Sequence, residues 1–135
     1  MTFSTETLDI TTGSRPGIFD LTPAVADFCR DKGDGLVNVF VPHATAGLAI
    51  IEVGAGSDDD LMALIDDLLP ADGRWRHAHG SPGHGRDHVL PAIIAPSATI
   101  PVVEGRPTLG TWQSVVLVDT NRDNFERRVR LTFLG

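Results

Sequence analysis

The chain has 135 residues, of which 41% are hydrophobic and 21% charged. That composition supports one buried core and excludes a disordered chain. The formal net charge of -7 argues against a dedicated nucleic-acid module, which presents a basic face.

Thr7 to Thr11 alternates with period two and reads as a strand. The Gly13 to Gly17 stretch is a turn, and Ile18 to Leu21 leads into Thr22-Pro23, an N-cap followed by proline at the first helical position. This helix is expected to run to about Lys32, with Cys29, the only cysteine, as a small core hydrophobe on its buried face. A lone cysteine excludes an intrachain disulfide framework and cysteine-based zinc or iron–sulfur sites. Leu36 to Val41 is a strong strand stopped by Pro42, and Gly47 to Val53 looks like its returning partner.

Ser57 and the three aspartates after it cap a second helix, Leu61 to Leu69, closed by Pro70. Ala71 to Asp87 is loop, dense in glycine and histidine. His88 to Ala95 fits either a short helix begun near Pro91 or a buried strand. Ala98 to Val103 reads as a strand placed at an edge or bulge by Pro101. Thr111 to Val118 and Arg127 to Phe133 are strands joined by a turn at Asn121 to Asn124. About seven strands in runs, with two or three helices, predict one α+β domain over 1–135, mostly antiparallel and β-sandwich-like. No segment reaches the ~18 apolar residues of a membrane span, and Met1 to Glu6 has neither the basic nor the apolar part of a secretory leader. A soluble cytoplasmic protein is expected.

Four of the 5 histidines fall between Trp75 and His88: His77, His79, His84 and His88. His43 sits just past a strand end. Several neutral imidazoles converging on one ion make a zinc-type site, and a glycine-rich loop can aim them at one point. Solvated loop histidines are the alternative. Glu52 shares a face with Leu48 and Ile50 by the two-residue period, where a carboxylate serves as general acid or base; if the strand has already ended, it is solvated. Trp112 is either core or a stacking platform whose neighbour Gln113 binds a ring edge. Ser97 and Thr99, with Arg127 and Arg128, offer hydroxyls and guanidinium groups to a phosphate.

Taken together, these motifs resemble the YjbQ-like family, often labelled secondary thiamine-phosphate synthase. His43-Ala44-Thr45-Ala46-Gly47-Leu48 with Ile51-Glu52 resembles its H-T-[ST]-A-G-[LV] and E signature, and Asp60-Leu61 its D-L. Trp75-Arg76-His77 resembles its aromatic-x-His, and His88 with Pro96-Ser97 its A-H and G-P-S. Leu109-Gly110-Thr111-Trp112-Gln113 is identical to its L-G-T-W-Q. The resemblance implies a small α+β fold and a homotrimer. Its pocket would join His43, His77 and His88 as ligands of zinc or another divalent metal, or as anion donors. Glu52 would be the acid/base, and Thr45, Ser97, Thr111, Trp112, Gln113 and Arg128 would bind a small phosphorylated or anionic metabolite. His79 and His84 have no counterpart in the pattern. Ala44 stands where a threonine is usual, and Leu90 where many members carry lysine.

The activity implied by the label joins a pyrimidine diphosphate to a thiazole phosphate, chemistry that usually wants Mg²⁺ on carboxylates and phosphate-binding cations. A three-histidine pocket suits zinc-type Lewis-acid or water activation better. The expected function is therefore a small-metabolite enzyme, a thiamine-phosphate-synthase-like transferase or a metal-assisted hydrolase. The alternative is a non-catalytic metal- or metabolite-binding protein.

Overall fold

The computed structural model describes residues 1–135. In chain order its elements are β1 (Phe3–Thr11), β2 (Gly17–Asp20), α1 (Thr22–Cys29), β3 (Gly35–Phe40), β4 (Ala46–Ile51), α2 (Ser57–Leu68), α3 (His84–Asp87), α4 (Leu90–Ile93), β5 (Ser97–Val103), β6 (Arg106–Pro107), β7 (Ser114–Asp119) and β8 (Glu126–Leu134). Every strand pairing is antiparallel, so the fold is α+β as expected. One sheet has five strands in the order β1-β8-β3-β5-β6, and the other has three in the order β2-β7-β4.

The two sheets face one another across the main core. Val37 and Val39 of β3, Ile100 and Val102 of β5, and Val129, Leu131 and Phe133 of β8 meet Leu48, Val115 and Leu117 of the small sheet. Val25, Phe28 and Cys29 of α1 complete that core, and Cys29 is fully buried. The opposite face of the small sheet, Val116 and Val118, is covered by Ile65 and Leu69 at α2 and by Leu90 of α4. Strand β7 is thus buried on both faces, which is why Val115 to Val118 is an unbroken apolar run.

Several sequence expectations change. The strands β3 and β4 are not partners: β3 pairs with β5 and β8, while β4 pairs with β7 in the other sheet. Thr22 is the first helical residue, not the cap, because its amide is taken by Asp20 Oδ1 and its hydroxyl accepts the Val115 amide. The helix α1 ends at Cys29, three residues short of Lys32. The helix α2 begins at Ser57 after Gly56, whose φ of 111° suits glycine, so the aspartates fill the first turn without a side-chain cap. The Pro91 segment resolves as a one-turn helix. Strand β7 starts at Ser114, leaving Thr111 to Gln113 in the turn before it. No helix is long and apolar enough to cross a membrane.

Candidate functional site

The histidine loop is held in place by backbone and indole contacts before its side chains converge. The Trp75 indole N–H donates to the Pro70 carbonyl at 2.8 Å. Gly85 packs so closely that a Cβ there would meet the His77 carbonyl oxygen and the Trp75 side chain. This close approach brings His77 against α3, which carries His84 and leads into His88. Arg86 and Asp87 of α3 are buried, and they tie α3 to its neighbours. Arg86 donates to Asp66 of α2 and to the Leu69 carbonyl, and Asp87 accepts from Thr120 and Asn121.

The imidazoles of His77, His79, His84 and His88 form one cluster, with ring centroids 4.1 Å apart for His77–His79 and His77–His88 and 4.8 Å for His84–His88. One ring nitrogen from each of His77, His79 and His84 lies within 4.8 Å of the other two. His84 Nε2 and His88 Nε2 are 3.0 Å apart. Two imidazole nitrogens on one tetrahedral zinc stand about 3.3 Å apart, so the pair needs little movement to share an ion.

Behind His84 stands Asp123, in the β7–β8 turn, with Oδ2 2.8 Å from Nδ1. His84 Nδ1 faces both the Asp123 carboxylate and, at 3.2 Å, the Asn121 amide nitrogen; with its proton directed at the carboxylate, the Nε2 lone pair is left toward His88. The same carboxylate oxygen accepts from the Ser81 amide and hydroxyl, and these hydrogen bonds hold the Asp123 carboxyl below its ordinary pKa. For His77 and His88 the shift is downward, from burial first and then from the charges of neighbouring histidines. Both therefore favour the neutral form that a metal requires.

His43 enters the same cleft from the β3–β4 connection. Thr45, Asn124 and Arg127 line it as well, around a volume of about 350 Å³. His43 Nε2 accepts the backbone N–H of Arg128 at 2.9 Å. Burial, then the nearby Arg127, lowers its pKa. Beneath it Arg127 is 1% exposed and forms a two-point ion pair with Asp119, at 2.6 and 3.0 Å, while Nη2 also donates to the Thr45 hydroxyl at 2.8 Å.

The sequence-predicted residues divide. His43, His77, His88 and Thr45 come together. Ser97 and Arg128 lie on the outward face of the five-stranded sheet: Ser97 Oγ accepts from Asn38, and Arg128 stands opposite Asp9. Glu52, Thr111, Trp112 and Gln113 lie at the other end of the small sheet. There Ile51 pairs with Ser114, whereas Ala46 and Asp119 pair at the histidine end. Five strand residues separate the ends, about 17 Å. Glu52 therefore does not sit beside His43 across a hairpin, because β3 and β4 belong to different sheets. Trp112 is 73% exposed, so it is not core, and Gln113 Oε1 accepts the Gly110 amide. Sequence reasoning missed His79, His84 and Asp123. The four-residue step from His84 to His88 was visible, but the carboxylate that organises it comes from 39 residues away.

Comparison with known proteins places the chain in a family. A family profile described as UPF0047 protein YjbQ-like matches residues 6–135. The chain is 63% identical over 130 residues to UPF0047 protein Rv2556c of Mycobacterium tuberculosis, covering 96% of this chain and 97% of that one. It is 31% identical to UPF0047 protein YugU of Bacillus subtilis, covering 82% and 84% of the two chains. Among solved structures, hypothetical protein APE1520 of Aeropyrum pernix superposes with a TM-score of 0.88 at 34% identity, covering 98% of each chain. A YbjQ-like protein of unknown function from Sulfolobus solfataricus shares the fold, with a TM-score of 0.92 at 23% identity over 99% of this chain and 98% of that one. The chain belongs to the UPF0047 YjbQ-like family.

Proposed function

We propose that the chain is a small-metabolite enzyme whose histidine cluster holds a divalent transition metal, zinc in the first instance. One observation carries this reading: four imidazoles converge, and the central one, His84, is backed by the carboxylate of Asp123. The donor set fits zinc, since imidazoles oriented by an outer carboxylate are its usual surroundings. His84 and His88 would be the primary ligands, with His77 and His79 close enough to complete the set. Bound there, the metal supplies Lewis-acid polarisation and activation of water.

The chain's own residues prepare that chemistry. Asp123 orients the His84 ring, desolvation and the neighbouring histidines favour the neutral forms of His77 and His88, and Gly85 holds the loop close enough for the rings to meet. The cleft lining carries no carboxylate, and the charge of its one guanidinium is met by Asp119. This favours metal-assisted hydrolysis over the diphosphate-displacing transfer that the family label implies, because such a transfer needs Mg²⁺ on carboxylates and free cations.

Elemental analysis of protein purified without chelators, followed by a screen of phosphate esters for metal-dependent turnover, tests the reading. Stoichiometric zinc and turnover, both lost in His84→Ala, support it. Metal without turnover on any ester makes the chain a metal-binding protein, and protein free of metal overturns the assignment.

A further inference from the structure

We infer that Asn121 is a positioning residue: it braces the β7–β8 turn against α3 and so sets where Asp123 stands relative to His84. The inference rests on the reading above only for its consequence at a metal. Asn121 is 1% exposed and lies just beyond the end of β7. Its backbone N–H donates to Asp119 Oδ1 at 2.9 Å, and that carboxylate is locked in the buried pair with Arg127. The side-chain carbonyl accepts three donors, the backbone N–H groups of Asp123 and Asn124 and the side-chain amide of Asn124, each at 3.0 Å. These bonds fold the turn that carries Asp123. The hydrogen bonds of the Asp123 carboxylate all go to Ser81 and His84, so on the turn side its place is set by the backbone bond to Asn121.

The other half of the Asn121 amide reaches across to α3. Its Nδ2 donates to Asp87 Oδ2 at 3.1 Å and lies 3.2 Å from His84 Nδ1. Asp87 is buried, and its second oxygen accepts from the Thr120 hydroxyl and from Arg86 Nε. One side chain therefore holds both the turn bearing the carboxylate and the short helix bearing the imidazole. The network also fixes which way the amide points. Reversed, its NH₂ would face three donors and its oxygen a carboxylate. Only an amide meets both demands, an acceptor for the turn and a donor for Asp87. An aspartate of the same shape would set two buried carboxylates against each other, and like charges at that range oppose ionisation.

The test exchanges the two partners in the full chain. Asn121→Asp removes the donor and faces Asp87 with a second carboxylate. Adding Asp87→Asn returns one donor and one acceptor in the reverse order. Proton and long-range ¹⁵N–¹H spectra of metal-free protein read the His84 Nδ1–H held by Asp123, and competition with a zinc indicator reads affinity. In Asn121→Asp the Nδ1–H signal is expected to shift or to vanish by exchange with water. Zinc binding is expected to weaken roughly tenfold or more, the scale for outer partners of ligating histidines. In the exchanged pair both are expected to return most of the way. A merely structural Asn121 would lower the urea midpoint yet leave the His84 signal and the zinc affinity of the folded variant unchanged, and that result overturns the proposal. If Asn121→Asp alone fails to fold, the exchanged pair decides: a wild-type His84 signal supports the proposal, and failure to fold or to recover the signal overturns it. Wild-type protein that binds no zinc defeats the metal reading and leaves the proton signal to decide this one.

Discussion

Asp123 and His84 are 39 residues apart in sequence, and a carboxylate oxygen of one lies 2.8 Å from the ring nitrogen of the other. The contact joins the β7–β8 turn to the glycine-rich loop, so the orientation of the central imidazole depends on a distant part of the chain. Asp123→Asn keeps the shape but ends the preference for the Nδ1 proton. Metal affinity is expected to fall roughly 10- to 100-fold, the scale for outer partners of ligating histidines, with little change in melting temperature. Competition with a zinc indicator reads this, and unchanged affinity would refute the role of Asp123.

Gly85→Ala should act through the loop. The added methyl meets the His77 carbonyl oxygen and the Trp75 side chain, one of them backbone, so the loop must move. A loss of stability of about 1–3 kcal/mol is expected, the usual range for overpacking, together with displacement of His77 from the cluster. Urea unfolding and metal titration measure the two effects, and a variant neutral in both would show that the loop yields freely.

The Arg127–Asp119 pair is buried at both ends, with side chains 1% exposed. Arg127→Met leaves an uncompensated buried carboxylate, and the expected destabilisation is about 3–5 kcal/mol. The double change Arg127→Met with Asp119→Asn should be much milder. Equal losses in the single and double variants, read by denaturant unfolding, would contradict this account.

Stability should also depend on pH through the histidines. His43, His77 and His88 have pKa values lowered in the fold, chiefly by burial. The unfolded chain therefore binds more protons below the ordinary histidine value of ~6.5. In metal-free protein the full contribution is present above that pH and is lost as pH falls through it toward the lowered folded values. The urea midpoint is expected to drop between about pH 7 and 5.5, and His43→Gln should flatten part of the drop. Asp123, whose pKa is also lowered, acts in a separate window, its contribution disappearing below about pH 4. A flat midpoint across the histidine window would contradict the burial argument.

Self-association is expected from an apolar row that crosses four strands. Phe3, Leu134, Leu36 and Pro101 are in register across β1, β8, β3 and β5, and the first three are exposed. Such a row on an open sheet face marks an interaction surface. We propose that copies of the chain cover it. Sedimentation at micromolar concentration should show an oligomer that Leu36→Glu weakens, and a stable wild-type monomer would refute the idea.

Much of this was legible in the sequence because it depends on local patterning. The alternation Arg128-Val129-Arg130-Leu131 fixed which face of β8 is buried, and Val115 to Val118 announced a strand covered on both sides. Pairing was harder. β3 and β4 are consecutive and apolar, which favours a hairpin, yet the chain crosses between sheets at Pro42 to Thr45. Periodicity sets a strand's faces and says nothing of its neighbour. The histidine cluster was half legible for the same reason: a glycine-rich loop has no period to extrapolate, so His79 and His84 could not be ranked against His77. Their grouping depends on Asp123 and on the tight packing at Gly85.

Because β7 is packed on both faces, its two ends are held at a fixed separation, the histidines at one and Glu52 with Trp112 at the other. Sites further apart than about 7–10 Å with no shared partners usually contribute independently to stability. The free-energy change of a variant combining His84→Ala and Trp112→Ala should therefore equal the sum of the two single changes to within about 0.5 kcal/mol. Either end can then be altered without retuning the other.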